Sequence, residues 1–174
     1  NFFFNFISFL AVATDIMVAT GRNSFSFLDS VETIRMTEAK DEVTVETCVK
    51  SVPAYPLRVV WAVGSTFING EPLICGGGHP KTERCYQLNT NEWQEAPQLP
   101  SARFNLKMAT TDQTTFISGG YGGGWLNDFH QLKGGSWHSL SPLPMKVSLH
   151  CLVALNSTHL LNIGGLDSNY NVSK

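Results

Sequence analysis

Short apolar runs recur along the whole chain, and each is broken by a cluster of Gly, Pro, Asn, Asp or Ser. Leu106 to Thr110 and Thr115 to Ser118 flank the polar turn Thr111-Asp112-Gln113, and the runs NDFHQL and SWHSL flank Lys133-Gly134-Gly135. Runs of this kind punctuated by turn residues predict antiparallel hairpins and leave no stretch long enough for a helix. Near the start, Phe6 to Ala13 and Ile16 to Ala19 predict a further hairpin around Thr14-Asp15. The apolar stretch Phe2 to Val18 contains Asn5 and Asp15 and has no basic start, so it fits a membrane span poorly; a leader cleaved near Ala11-Val12-Ala13 is the alternative to a strand.

The pattern is periodic. Trp93 recurs at Trp137 and Pro100 at Pro144, 44 residues on, while Pro97 and Pro100 have counterparts 44 residues earlier at Pro53 and Pro56. A glycine doublet closing an apolar run recurs as LICGG (Gly76, Gly77), FISGG (Gly119, Gly120) and LNIGG (Gly164, Gly165), at steps of 43 and 45. In IMVATGR, Thr20 and Gly21 take the same role, and LDSVETI follows as the next strand. A period of about 40 to 50 residues with four short strands in each unit predicts units that pack on their neighbours, and four-stranded sheets packed radially make a β-propeller.

These residues resemble the kelch repeat: an apolar strand ending in Gly-Gly, then an aromatic about seven residues before a Trp, then a proline turn and a basic residue. The matches are Tyr86 with Trp93, His130 with Trp137, and Arg58, Arg103 and Lys146 after the prolines. The resemblance implies an all-β fold of kelch-type propeller blades, each a four-stranded antiparallel sheet. Residues 11–56 form a degenerate repeat, 57–100 and 101–144 full repeats and 145–174 a partial one, after an apolar lead over residues 1–10. The first repeat departs most, with Cys48-Val49 in the place of the Trp and an extra stretch containing the acidic EAKDE run that lengthens its last hairpin. Rings close with about four to eight blades, so this run predicts an incomplete ring whose bare edges pair with further blades or with a second copy.

In kelch proteins the loops after the Gly doublet and those joining consecutive blades share one face, where partners dock. By position, that face here carries Arg22, Arg58, His79, Lys81, Arg84, Arg103, Tyr121, Trp125 and Lys146. Arginines among aromatics suit an acidic peptide, because guanidinium forks pair with carboxylates and rings supply desolvated area; the alternative is that each arginine caps nearby carbonyls. The family implies a protein-binding module, with a substrate-receptor segment of a BTB-kelch ubiquitin-ligase adaptor as the second reading and a galactose-oxidase-like copper enzyme as the third.

Charge changes the picture little: 12 basic against 14 acidic residues give a net charge of -2, which disfavours nucleic acid and membrane surfaces as partners. The five histidines lack HxxxH or HxH spacing, there is no CxxC, and GGYGGGW lacks the Lys-Ser/Thr ending of a phosphate loop, so no metal, cofactor or catalytic set is assigned. Cys75 ends the strand before a Gly doublet and Cys85 begins the next, a spacing that lets antiparallel neighbours form a disulfide; four buried thiols in a cytosolic protein are the alternative. The Cys-containing repeats also resemble those of secreted invertebrate kelch proteins, which implies an extracellular setting. Two N-glycosylation sequons begin at Asn156 and Asn171.

Overall fold

The computed structural model describes residues 9–12, 15–22, 27–39, 42–47, 52–57, 61–112, 114–167 and 169 of the 174, with side chains described from residue 52 onward. All regular structure in these residues is strand. The first sheet holds β1 (Phe9–Val12), β2 (Asp15–Arg22), β3 (Phe27–Ala39) and β4 (Glu42–Thr47). The second holds β5 (Gly64–Ile68), β6 (Glu71–Cys75), β7 (Cys85–Asn89) and β8 (Glu92–Ala96), and the third β9 (Lys107–Thr110), β10 (Thr115–Ser118), β11 (Phe129–Lys133) and β12 (Ser136–Ser139). A fourth sheet pairs β13 (Cys151–Ala154) with β14 (Leu160–Ile163).

Each four-stranded sheet is an antiparallel meander in chain order. In the first, Val12 faces Asp15, and the β2–β3 ladder slips at Thr20, between Ala19 and Gly21. Ala39 faces Glu42, so the EAKDE run forms the tip of a long last hairpin. The first strands β5, β9 and β13 lie beside one another, which sets the sheets side by side as blades with β8 and β12 outermost. Composition follows that radius. The inner strand β6 is buried at Pro72, Leu73, Ile74 and Cys75, as a strand covered on both faces must be, whereas β8 is mostly exposed. The innermost ladder is also joined by hydroxyls: Thr66 to Thr110 at 2.9 Å across two sheets, and Thr110 to Thr115 at 3.0 Å.

Two apolar clusters fill the junctions between sheets. Tyr55, Val63, Ile74, Tyr86 and Leu88 form one, with Trp93 against it; Leu73, Cys75, Cys85, Leu99, Leu106, Met108 and Ile117 form the other, with Ile68, Ala96 and Trp137 against it. The repeated Trp has a polar task as well, since Trp93 Nε1 donates to the Pro53 carbonyl at 2.9 Å and Trp137 Nε1 to the Pro97 carbonyl at 3.0 Å. Each indole thereby ties the outermost strand of one sheet to the segment that leaves the sheet before it.

The Gly doublets are where adjacent sheets come closest. Gly77 N donates to the Arg103 carbonyl and Gly120 N to the Val147 carbonyl, both at 2.9 Å. A Cβ on Gly76 would stand 2.6 Å from the Arg103 oxygen, and one on Gly119 2.4 Å from the Val147 oxygen, at φ of +69° and +53°. Any other residue there would collide with the next sheet's backbone and strain its own. This is the physical reason for the doublets' recurrence.

Candidate functional site

The two loop sets meet at one end of the sheets. Isolated bridges join Trp61 to Gly78, Phe104 to Tyr121 and Ser148 to Leu166, each linking the segment before a first strand to the loop after a Gly doublet. Their side chains form a row of rings: His79 lies 6.2 Å from Trp61, Trp61 5.2 Å from Phe104, Phe104 5.3 Å from Tyr121 and Tyr121 6.2 Å from Trp125. Trp61, Phe104, Tyr121 and Trp125 are half-buried, while His79, Lys81, Arg84 and Lys146 are exposed around them. Lys81 Nζ donates to the Gly122 carbonyl, which fastens the loop after the first of these doublets to the loop after the next. Arg84 Nη1 donates to Tyr86 Oη at 3.4 Å. Trp61 and Phe104 were not singled out by sequence. They sit 43 residues apart, and that spacing was the signal that could have found them.

Other expected positions fall elsewhere. Arg22 closes β2 opposite Phe27, and its side chain, together with Arg58 and Asn171, lies outside the described residues. Arg103 does not belong to the exposed surface: it is 1% exposed and its donors are consumed internally. It grips Asp128 with two bonds of 2.6 and 2.8 Å, donates to Ser101 Oγ at 2.8 Å and reaches the Ser101 and Gly119 carbonyls. A bidentate guanidinium held this way joins the second and third sheets. Its counterpart in the next repeat is the buried Val147, whose carbonyl takes the same place, and not Lys146. Asp128 also meets His130 Nε2 at 3.0 Å, and His130 Nδ1 meets Ser139 Oγ at 3.2 Å. The imidazole at Tyr86's repeat position thus keeps polar partners. Burial alone would raise the Asp128 carboxyl, but the bonds from Arg103 and His130 outweigh it and hold the group below its ordinary value.

A second polar substitution lies at the next junction. Ser118 Oγ bonds His150 Nε2 at 2.7 Å, both buried, where the preceding junction has Cys75 and Leu106. Burial, with Lys107 nearby, lowers His150 to about 4, so the ring is neutral at pH 7. Its Nδ1 has no partner among the described residues. Burial likewise lowers the Lys107 amine. Cys75 and Cys85 face each other across β6 and β7 and are disulfide-bonded, and Cys151 is a free, exposed thiol. Asn156 is exposed in the β13–β14 turn, its Oδ1 accepting from the Thr158 and His159 amides at 2.9 Å.

Among the described residues, no group of three or more His, Cys, Asp or Glu could hold a metal ion, and no helix is long and apolar enough to cross a membrane. No protein-family model matches the chain, and no curated protein matches it in sequence.

Proposed function

We propose that the chain is a protein-binding module built from kelch repeats, which takes an acidic peptide across the loop end of its sheets. The observation that carries this reading is the unbroken row of rings from His79 through Trp61, Phe104 and Tyr121 to Trp125, bordered by exposed Lys81, Arg84 and Lys146. Half-buried aromatics held by backbone bridges offer desolvated area with little ordering cost, and the cations at the rim steer and orient carboxylates. The function is binding and not catalysis.

An array of Asp- and Glu-rich peptides carrying one aromatic or proline anchor tests it. Binding is expected to fall with rising ionic strength, and about tenfold with Trp125→Ala or with Lys81→Ala combined with Arg84→Ala. Binders unaffected by either change, or the absence of acidic peptides among the binders, would overturn the reading.

A further inference from the structure

At the junction of the third and fourth sheets lies a cavity of about 320 Å³, lined in part by Thr111, Phe116, Phe129, Leu143, Leu152 and Asn162. Each of these six is the repeat counterpart, 43 to 45 residues on, of a residue at the preceding junction: Ile68, Leu73, Cys85, Leu99, Met108 and Ile117. At that junction the space is closed. Trp137, on the outermost strand β12, packs against the cluster and donates its indole N–H to Pro97. One junction earlier, Trp93 does the same against its own cluster and Pro53. The lining has therefore been repeated without the indole that fills it elsewhere.

Beside the cavity, β14 pairs with β13 alone among the described strands, whereas its counterparts β6 and β10 each carry a further strand on the other edge. Leu161 and Ile163 on β14 are 41% and 49% exposed. No tryptophan of this chain is spare. Trp93 and Trp137 are committed to their own junctions, and Trp61 and Trp125 belong to the loop row.

We infer that this cavity is an indole-binding site, filled by a tryptophan on an extended segment of another polypeptide that adds to the free edge of β14. The mode is strand addition: backbone bonds along β14 supply affinity, and the cavity supplies selectivity for the side chain. Polarity sets the site apart from its closed counterparts, because Asn162 stands where Ile117 stood and Thr111 where Ile68 did. Ser157 and Thr158 of the β13–β14 turn also line it, so the site lies toward the turns at the end of the sheets opposite the Gly-doublet loops. It is independent of the proposed loop-end binding.

The probe is a synthetic peptide with the sequence of residues 127–142, the β11–β12 hairpin that performs this task at the preceding junction. Labelled with fluorescein, it should bind the intact chain saturably by fluorescence anisotropy, and free indole should compete. Replacing the peptide's Trp by Ala should weaken binding by at least about tenfold. Leu160→Trp, which fills the cavity, should abolish binding; Ser157→Trp, an exposed change at the mouth, serves if the first variant fails to fold. Binding that survives loss of the peptide's Trp, or both cavity variants, would overturn the inference, as would no binding at millimolar peptide. Concentration-dependent self-association, measured by sedimentation and blocked by these variants without added peptide, would also overturn it by assigning the edge to a second copy.

Discussion

Replacing Asp128 by Asn isolates the charge that Arg103 faces. The substitution keeps the side chain's size and leaves a guanidinium that is 1% exposed opposite a neutral amide. Two unit charges about 4 Å apart attract by roughly 4 kcal/mol at an effective dielectric of about 20, and removing one member of a buried pair costs about 3–5 kcal/mol. The Asp128 side chain is 33% exposed, so water solvates part of the gap and the expected loss is about 2–3 kcal/mol. Equilibrium urea unfolding followed by tryptophan fluorescence reads this directly: at a slope of about 2 kcal/mol/M, the midpoint falls by about 1–1.5 M with the slope unchanged. Arg103→Met combined with Asp128→Leu removes both charges and should recover most of the loss. The pH dependence has a definite sign. The folded carboxyl lies below its ordinary value, so its stabilisation is present above the unfolded value and is lost as pH falls through the folded one. The gap between wild type and D128N should hold from neutral pH to about pH 4 and close below it. A loss under about 0.5 kcal/mol, the size of an ordinary surface change, would refute the assignment of Arg103 to the junction.

His150 titrates in a different window: its folded value of about 4 lies below the ordinary 6.5, so the stability it carries is full above about pH 6.5 and falls by roughly 3 kcal/mol as pH drops to about 4. Urea titrations at pH 7 and pH 4.5 measure the fall, and His150→Leu with Ser118→Ala should remove it. Gly119→Ala should cost about 2–4 kcal/mol, because its Cβ would meet the Val147 oxygen at 2.4 Å; Gly134→Ala has open space around it and should cost only about 1–2 kcal/mol for its positive φ. Alkylation followed by mass spectrometry should leave Cys75 and Cys85 unlabelled until reductant is added, and replacing both by Ser should cost roughly 2–3 kcal/mol for a loop of this length.

The strands and their order were legible because turn residues and apolar runs alternate so regularly; the expected turn at Lys133-Gly134-Gly135 lies between β11 and β12. The Gly doublets announced a close approach, though only coordinates name the Arg103 and Val147 carbonyls that approach. Arg103 was misread because a charge in a loop is ordinarily solvated, and its partner Asp128 lies 25 residues away. The nearest signal was Asp128 and His130, two apart on one face at the start of a strand. The Ser118–His150 bond was hidden for a similar reason: a repeat is recognised by its likeness, and this pair is where the copies differ. Trp93 and Trp137 were read as apolar filler with a polar edge, and their proline acceptors became visible only through the folding of each chain segment onto the next sheet.

Each indole bond spans 40 residues, from Pro53 to Trp93 and from Pro97 to Trp137. During synthesis, the segment leaving one sheet stays unfastened until almost the whole of the following sheet has emerged. At about 5–20 residues per second, that lag is roughly 2–8 s. Assembly on the ribosome therefore runs one sheet behind translation, and the most recently made sheet is always the one whose outer rim is still open to solvent or to another chain.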